Sequence, residues 1–572
     1  MKRRFLILLF FILSVSSKYY TQTLQWAKQF KGDTTEVSNA ISTDLAGSVF
    51  ITGTFNGTTD FDPGAGTYTL APFGAGNGDD IFVSKLDASG NWVWTKQIGG
   101  VGRDFFPRIK LDPSGNVYIS GNFDAVADFD PGPSTFTINS LGGDDIFISK
   151  LDNNGNFIWA KSIGGAGTDI VNSLTVDASG NVYSVGFFEN VVDFDPGPAV
   201  YNFTNSLVGY EEAFISKLDA SGNFVWAKQI SGSQNKNATA VTTDTFSNVY
   251  VTGYFTGTVD FDPGPGTATL TASASGQDMF ILKLNNSGNF SWTKQVVGAG
   301  TYIAPVRIKA DQSGYIYIGG EFEGTFDFDP GAGTYNLTST NVYTDFFISK
   351  CDLSGNFVWA KSIGGGSTDR LWDLDTDASG NVYSTGQFYG TVDFDPGAAT
   401  SFLYGQGYSD IYVLKLDASG NFVWVSWFGG PNNDEGHGVA IDASNNLFTT
   451  GNFSGTVDFD PGFGVFNLST QLNTDDDYDV YALKLGTAIG INELYAFDEK
   501  IRPFPNPTTG LINLKLNSPT QITITNILGE EIFFKLMEGG IQTIDLSQQT
   551  PGIYFEKISQ GDRQEVVKLV KE

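Results

Sequence analysis

The sequence predicts an all-β protein built from repeated four-stranded units. The string Asp-Phe-Asp-Pro-Gly occurs seven times, beginning at Asp60, Asp128, Asp193, Asp260, Asp327, Asp393 and Asp458. The spacings between these strings are 65 to 68 residues, and each unit holds four short segments with the apolar pattern of strands. No segment between them has a helical period. The 69 glycines agree with a fold of short strands and many tight turns.

The first two strands of each unit are joined by a turn of the form Asp-x-x-Gly-Asn. In the third unit we expect a first strand over Ser173–Val176 and a second over Val182–Phe188. The Asp and Asn side chains cap such a turn, and Gly supplies its positive φ. Every second strand also carries Gly-x-Phe. A glycine held at one position inside a strand indicates a bulge or a close approach of two backbones.

The third and fourth strands follow the Asp-Phe-Asp-Pro-Gly loop. Third strands such as Ile146–Leu151 are apolar at nearly consecutive positions, as a sheet requires when both of its faces are covered. A radial arrangement covers both faces with neighbouring sheets and leaves only short, protected edges. Seven four-stranded units therefore predict a seven-bladed β-propeller over residues 24–486.

The two ends of the repeat predict how the ring closes. Each fourth strand carries one tryptophan, namely Trp26, Trp94, Trp159, Trp226, Trp292, Trp359 and Trp424. Trp26 precedes the first complete unit, whereas the last unit stops after its third strand, Val480–Leu485. We therefore expect Leu24–Phe30 to supply the missing fourth strand.

These columns resemble the seven-bladed β-propeller repeats of bacterial secreted proteins. The resemblance lies in Asp-x-Phe-x-x-Lys-Leu-Asp-x-x-Gly-Asn, in Trp-x-Lys-x-x-Gly-Gly and in Asp-x-x-Gly-Asn-Val-Tyr, over about residues 24–486. It implies the fold, but it does not imply an activity, because propellers serve many functions.

The N-terminus predicts a signal peptide over residues 1–20, with an approximate end. Basic residues at positions 2–4 precede the largely apolar run Phe5–Val15, which is followed by Ser16 and Ser17. Such a run is too short to cross a bilayer as a helix. No other stretch approaches that length, so we expect no transmembrane segment after signal removal.

The C-terminal residues predict a second domain. After a linker expected at 487–502, residues 503–572 alternate as six short strands, which predicts a small β-sandwich. The segment resembles the type A sorting domain of the type IX secretion system through Pro505, Asn506, Pro507, Gly510, Gly529, Gly552, Tyr554, Lys568 and Lys571. This resemblance implies the type IX secretion machinery as a partner, export across the outer membrane, and a propeller that is released or held at the cell surface.

Composition excludes several classes of function. The net charge of -30 disfavours nucleic acid and anionic lipid as partners. The single histidine, His437, falls in a predicted loop where we expect it to be solvated, and no second histidine is present to build a zinc site or a nucleophile and base pair. The single cysteine, Cys351, stands in a column of leucines, so we expect a buried, inert thiol.

The repeated aspartate pairs are the candidate metal ligands. These residues are Asp60, Asp62, Asp128, Asp130, Asp193, Asp195, Asp260, Asp262, Asp327, Asp329, Asp393, Asp395, Asp458 and Asp460. In an extended segment the two carboxylates of a pair share one side, and calcium takes six to eight such oxygen ligands. Alternatively, each Asp caps the Pro-Gly turn while Phe fills the gap between blades.

Strand direction places the aspartate pairs on one face of the propeller. The crossovers between units reach the same face, and they carry Asp33, Asp104, Asp169, Asp369 and Asp434. We therefore expect a ring of carboxylates around the central channel.

The leading functional hypothesis is a non-catalytic binding or adhesion scaffold that is secreted or attached to the outer cell surface. A glycan or a surface protein fits this role as a ligand, and calcium at the aspartate pairs is the one cofactor suggested. The alternative is a carbohydrate-active or other hydrolytic propeller, because two acidic residues suffice for glycoside cleavage. Its acids would lie on the Asp-Phe-Asp-Pro-Gly face.

Overall fold

A computed structural model describes the chain from residue 22 to residue 571, except for 75–77, 206–208, 274–275, 341, 463, 472–476, 488–502, 507, 517, 527–529 and 561–562. The predicted signal peptide, nearly all of the linker, Pro507 and Gly529 lie outside the described residues. Over the described residues the chain is all β, as predicted, and has no helix. It divides into two compact units, one spanning Thr21–Thr487 and one that includes Ala488–Glu572.

The larger unit consists of repeated antiparallel sheets, which we number 1 to 7 by their first strands. The first strands are Glu36–Thr43, Asp104–Leu111, Ile170–Val176, Lys236–Thr243, Tyr302–Ala310, Arg370–Thr376 and Glu435–Ile441. The second strands are Val49–Phe55, Val117–Phe123, Val182–Phe188, Val249–Phe255, Tyr315–Glu323, Val382–Asp393 and Leu447–Ser454. The third strands are Asp80–Leu86, Asp145–Leu151, Glu212–Leu218, Asp278–Leu284, Asp345–Asp352, Phe402–Leu416 and Tyr478–Thr487. The fourth strands are Trp92–Gly100, Phe157–Gly165, Phe224–Gly232, Phe290–Gly298, Phe357–Gly365, Phe422–Phe428 and, for sheet 7, Gln22–Gly32.

Within each sheet the strands pair in the order first, second, third, fourth. Sheet 7 takes its fourth strand from the opposite end of the chain, because Gln22 lies opposite Thr487 and Phe30 opposite Val480. This is the strand pairing predicted from Trp26 and the unfinished last unit.

The sheets pack face to face through apolar side chains. Every residue of second strands such as Val49–Phe55 is buried. Sheet 7 packs on sheet 6 through a cluster that contains Trp424 and Tyr481, and on sheet 1 through a cluster that contains Phe30 and Phe82. Burial of such side chains contributes about 1.5 to 3 kcal/mol each.

The glycine of each Gly-x-Phe pattern lies where two backbones meet. Opposite Gly186, the first strand of sheet 3 bulges between Val171 and Ser173. A Cβ atom at Gly186 would stand 1.9 Å from the carbonyl oxygen of Ile170. The glycine therefore permits close approach to a first strand that is bulged at the same level.

The C-terminal unit contains two antiparallel sheets. Its strands are Leu511–Leu516, Thr520–Asn526, Glu531–Met537, Gly540–Asp545, Gly552–Gln560 and Arg563–Lys571. The first pairs with the fourth, and the other four form a second sheet. Both sheets contribute to one core that includes Ile512, Leu514, Ile522, Ile544 and Tyr554, as expected of a small β-sandwich.

Candidate binding site in the central cavity

The aspartate pairs lie in short hairpins where their carboxylates bind backbone amides. Asp260 Oδ1 accepts the N–H of Asp262 at 3.1 Å and that of Ala268 at 2.8 Å. Asp262 Oδ1 accepts the N–H of Gly264 at 2.8 Å. The same bonds recur in the other six hairpins. One oxygen of each carboxylate therefore caps a turn.

The phenylalanine between the two aspartates is buried, as Phe261 illustrates. Among the residues that the structure describes, no group of three or more acidic, histidine or cysteine side chains is arranged to hold a metal ion. Calcium binding at the pairs stays a prediction, which would depend on the second oxygen of each carboxylate.

The hairpins lie at the outer edges of the sheets. In six units the hairpin pairs with the fourth strand of the preceding sheet, as Asp260 does opposite Ser231. The first strand of each sheet lines the central cavity, and the fourth strand lies three strands farther out. The expected ring of aspartate pairs around the central channel is therefore wrong, because the long loop between second and third strands folds back as a hairpin on the neighbouring sheet.

The crossover carboxylates are buried rather than displayed on a face. Asp104, Asp169, Asp369 and Asp434 are at most 1% exposed. Asp434 accepts the N–H of Gly430 at 2.8 Å and that of Ser454 at 3.0 Å. Burial raises the pKa of Asp434 to about 8, even though these backbone hydrogen bonds lower it. Only Asp33 of this set is exposed, so the expectation of a surface ring is wrong here too.

The repeated lysine and tryptophan columns join neighbouring sheets. Lys150 Nζ lies 4.6 Å from the centre of the Tyr118 ring and donates to the carbonyl of Ala220 in the next sheet at 3.2 Å. Trp159 Nε1 donates to the same oxygen at 3.2 Å. In all seven sheets the third-strand lysine lies over the ring of a second-strand Tyr or Phe.

Sheet 7 makes the same junction with sheet 1, although its strands come from both ends of the chain. Lys484 and Trp26 donate to the carbonyl of Ala88 at 3.1 and 3.2 Å. At the junction of sheets 6 and 7 no turn links the third and fourth strands. There, the side-chain amide of Gln22, oriented to satisfy both of its polar atoms, accepts from Trp424 Nε1 at 3.1 Å and donates to Gly486 at 3.1 Å.

The first strands of all seven sheets line a cavity of about 640 Å³, which we call the central cavity. Two columns, four and two residues before each turn aspartate, break the repeat. The first column reads Ala40, Arg108, Ser173, Ala240, Arg307, Asp373 and Gly438. The second reads Ser42, Lys110, Thr175, Thr242, Lys309, Asp375 and Ala440. Within these two columns, charges occur only in sheets 2, 5 and 6, and these six residues are the cavity charge cluster. The turn aspartates Asp311, Asp377 and Asp442 also line the cavity.

Two cations of this cluster are paired. Arg307 Nε lies 2.8 Å from Asp373 Oδ1, and Lys309 Nζ lies 2.7 Å from Asp375 Oδ1. The second oxygens of the two carboxylates accept N–H groups of sheet 7, those of Val439 and Ile441, each at 3.0 Å. Burial opposes ionisation of Asp375, but Lys309, Lys110 and the N–H of Ile441 together outweigh it and hold the pKa of Asp375 below its ordinary value.

The other two cations, Arg108 and Lys110, form no ion pair with a carboxylate of the described residues, although Asp373 attracts both from a longer distance. Arg108 donates to the carbonyl of Asn172 at 3.1 Å and to that of Asn39 at 3.4 Å. Lys110 makes no hydrogen bond or ion pair with any described residue. Burial, followed by repulsion from Arg307, lowers the pKa of Arg108 to about 9. Lys110 is exposed within the cavity, and desolvation there together with repulsion from Lys309 lowers its pKa, against the attraction of Asp373 and Asp375. The cluster holds four cations and two carboxylates.

His437 does not lie in a solvated loop, so that prediction is wrong. The short crossover places it inside the first strand of sheet 7, with only 12% of its side chain exposed. Its Nδ1 lies 2.6 Å from the carbonyl of Ser38, and its Nε2 lies 2.9 Å from Glu435 Oε2. The ring edge meets Trp372 with centroids 5.6 Å apart. Cys351 is buried, as predicted.

In the C-terminal unit, the start of the sorting motif binds the last strand. Asn506 Nδ2 donates to the carbonyl of Lys568 at 2.7 Å, and Asn506 Oδ1 accepts the N–H of Val570 at 2.9 Å. The N–H of Thr508 donates to Val570 at 2.8 Å. Tyr554 donates to the carbonyl of Thr550 at 2.6 Å. The motif residues at the two ends of the domain are thus brought together.

Two family models match parts of this chain. Residues 502–572 match the secretion system C-terminal sorting domain, and residues 225–257 match the beta-propeller repeat. The chain is a β-propeller repeat protein with a C-terminal sorting domain of the type IX secretion system. The sorting domain indicates secretion to, or attachment at, the cell surface. No described helix is long and apolar enough to cross a membrane.

Individual relatives are distant. An uncharacterised WD repeat-containing protein of Acanthamoeba polyphaga mimivirus is 25% identical over 64% of this chain and 31% of its own length. The regulatory protein FlaEY of Caulobacter vibrioides is 25% identical over 40% of this chain and 24% of its own length. The chain thus spans less than a third of these curated relatives. The solved structure of PorZ, a type IX secretion surface component of Porphyromonas gingivalis, is 12% identical, with a TM-score of 0.24, over 94% of this chain and 81% of that one.

Proposed function

We propose that this chain is a non-catalytic binding protein, secreted or held at the outer cell surface, whose seven sheets are the blades of a seven-bladed propeller. Support for the blade count comes from the packing of sheet 7 on both sheet 6 and sheet 1 and from the junction at Ala88. A closed ring also explains why first strands from every sheet line one cavity.

One observation favours binding: charges occur in the central cavity at positions where most sheets carry small or hydroxyl side chains. The fold does not need charges there, since the sheets without them have the same strands and turns. Cavities of several hundred Å³ with a few converging polar groups are the usual form of a small-ligand site.

The cavity charge cluster is poorly suited to acid–base catalysis. Both of its carboxylates, Asp373 and Asp375, are engaged by a cation and by a backbone N–H. A general acid or base needs a carboxyl free to exchange a proton with the substrate. An ion-paired carboxylate with a lowered pKa, such as Asp375, does not meet that need.

We further propose the domain order signal peptide 1–20, propeller 24–486, linker 487–502 and sorting domain 503–572. Removal of 503–572 should leave a folded propeller that accumulates in the periplasm, because export depends on the sorting domain. Immunoblots of periplasm and medium test this, and normal amounts of truncated protein in the medium would contradict it.

The binding role is tested with purified full-length protein on arrays of glycans and cell-surface fractions, together with an assay for new reducing ends on polysaccharides. We expect retention on the arrays and no turnover. Turnover that is lost on changing acidic residues to amides would instead establish the hydrolytic alternative.

A further inference from the structure

We propose that the central cavity binds a small oxyanion, a carboxylate or sulfate group of the ligand, through Arg108 and Lys110, with Arg307 and Lys309 completing a cationic environment. The inference rests on the proposed binding function and names the chemistry of its ligand.

The first reason is that Arg108 and Lys110 form no ion pair with a described carboxylate. Arg307 and Lys309 each have a carboxylate oxygen within 2.8 Å, whereas Arg108 donates to the carbonyl oxygens of Asn172 and Asn39. Asp373 attracts Arg108, and Asp373 and Asp375 attract Lys110, only from beyond ion-pair distance. Because Lys110 is also exposed, its ammonium group is open to an anion, which gains a charge-assisted hydrogen bond from it.

The second reason is the local fit to an oxyanion. Arg108 and Lys110 lie two residues apart on one strand, so their side chains leave the same side of the sheet. An arginine offers a planar fork of donors that matches a carboxylate or a sulfate, and a lysine adds a point charge. Neighbouring sheets carry hydroxyl groups at the level of Lys110, in Ser42 and Thr175, and both residues line the cavity.

The third reason concerns the turn aspartates that line the cavity, namely Asp311, Asp377 and Asp442. Asp377 lies 3.9 Å from Lys415, and one carboxylate oxygen of Asp311 and of Asp442 accepts two backbone N–H groups of its own turn. These carboxylates are thus engaged by the fold. The chain as a whole carries a net charge of -30, which repels large polyanions. A single anionic group that fits within about 640 Å³ is therefore favoured over an extended polyanion.

The test is a calorimetric and thermal-melt titration of the full-length protein with sodium sulfate and with sodium glucuronate. Sodium chloride at the same ionic strength and glucose are the reference solutes. We expect saturable binding of at least one of the two anions and a raised melting temperature. Binding of sulfate alone assigns a sulfate group to the ligand, and binding of glucuronate alone assigns a carboxylate.

The decisive variant is Lys110→Met, which keeps the length of the side chain but removes its charge. We expect anion binding at least about tenfold weaker, equal to about 1.4 kcal/mol, with no loss of melting temperature in chloride, because an unpaired charge has been removed. Arg108→Gln should weaken binding in the same way. Lys31→Met is the matched control, since Lys31 is exposed and does not line the cavity.

The inference is overturned if the wild-type protein binds neither anion, or if Lys110→Met and Arg108→Gln bind as tightly as Lys31→Met. Retention on the glycan arrays without anion binding would overturn this inference while leaving the proposed binding function intact. Turnover of polysaccharide would overturn the proposed non-catalytic function. The anion titration would still decide whether the central cavity binds an oxyanion.

Discussion

The repeated polar residues and the one-off charges of the central cavity are used in different ways. In the repeated columns, Lys150 has a ring, a carbonyl and the carboxylate of Asp112 as partners, and Asp260 caps two backbone N–H groups. In the cavity, Lys110 has the same type of side chain but makes no hydrogen bond or ion pair with a described residue, and Asp373 and Asp375 attract it only from a longer distance. The repeated polar residues thus form hydrogen bonds and ion pairs that hold the fold together. The charged residues that occur in only a few sheets keep groups that a ligand can bind.

The largest effect on stability should follow deletion of residues 22–30, which form most of the fourth strand of sheet 7. This removes the Trp26 junction and the buried Phe30, and large buried aromatics contribute about 2 to 3 kcal/mol each. It also exposes the edge of the strand Tyr478–Thr487. We expect aggregation or a melting temperature lower by many degrees, measured by size-exclusion chromatography and circular dichroism.

The control is the much longer deletion of 503–572, which should leave the melting of the larger unit nearly unchanged. If the protein without 22–30 melts and elutes like the intact chain, the first and last strands do not close the repeat.

The next effect concerns pH and the buried crossover carboxylates. Burial raises the pKa of Asp434 to about 8 from 3.8 and that of Asp169 to about 7. Because the folded state holds these protons more tightly than the unfolded state, their contribution to stability is complete below about pH 4 and is lost as the pH rises through 7 to 8. We expect the melting temperature to fall by several degrees between pH 5 and pH 8.5.

Asp434→Asn should flatten that slope, since it removes one titrating group. Asp375→Asn should not, because Lys309 lowers the pKa of Asp375. Equal slopes in wild type and Asp434→Asn would show that Asp434 is ionised in the folded protein.

A smaller effect on the free energy of unfolding is expected when lysine is changed to methionine in a sheet, and none when the same change is made in the cavity. Lys150→Met loses the interaction with the Tyr118 ring and the hydrogen bond to Ala220, each contributing about 0.5 to 1.5 kcal/mol. We expect a loss of about 1 to 2 kcal/mol in urea unfolding, whereas Lys110→Met should lose nothing. Equal losses would remove the distinction between framework and cavity lysines.

Calcium should have the smallest effect. One oxygen of each aspartate already caps a turn, as in Asp260 and Asp262, so only the second oxygen of each carboxylate remains for a metal. A site of the weak extracellular grade, about 10⁻⁴ to 10⁻³ M, would raise the melting temperature slightly in 10 mM calcium, and a chelator should reverse it. Asp260→Asn with Asp262→Asn keeps a capping oxygen and removes the charge. No change in melting, and no bound metal after dialysis, would end the calcium prediction.

Strand positions could be predicted from the sequence because the pattern of each strand recurs in all seven units. The predicted strand Val182–Phe188 matches the structure, and the predicted strand Ile146–Leu151 lies within the observed strand Asp145–Leu151. Loop paths could not be predicted, because alternating residues do not reveal that a loop folds back on the neighbouring sheet. This is why the aspartate pairs were expected at the centre and His437 in solvent.

The cavity charge cluster carried a signal that counting repeats does not detect. Arg108 and Lys110 stand in columns where other units have residues such as Ala40 and Thr175. A search of the aligned units for a charge present in a minority of them would have identified the cluster. Its ion pairs still required the structure, because they join different sheets.

The composition of sheet 7 also has a consequence for the order of folding. Gln22 finds its partner at Thr487, so this sheet cannot form until nearly the whole repeat region has been synthesised. Sheets 1 to 6 use local strands, whereas the last must close a loop of more than 400 residues, an entropic cost that grows only slowly with length. We therefore expect the pairing of these two strands to be a late step of folding. Until it occurs, one face of sheet 1 and one face of sheet 6 stay uncovered, and the N-terminal strand stays unpaired.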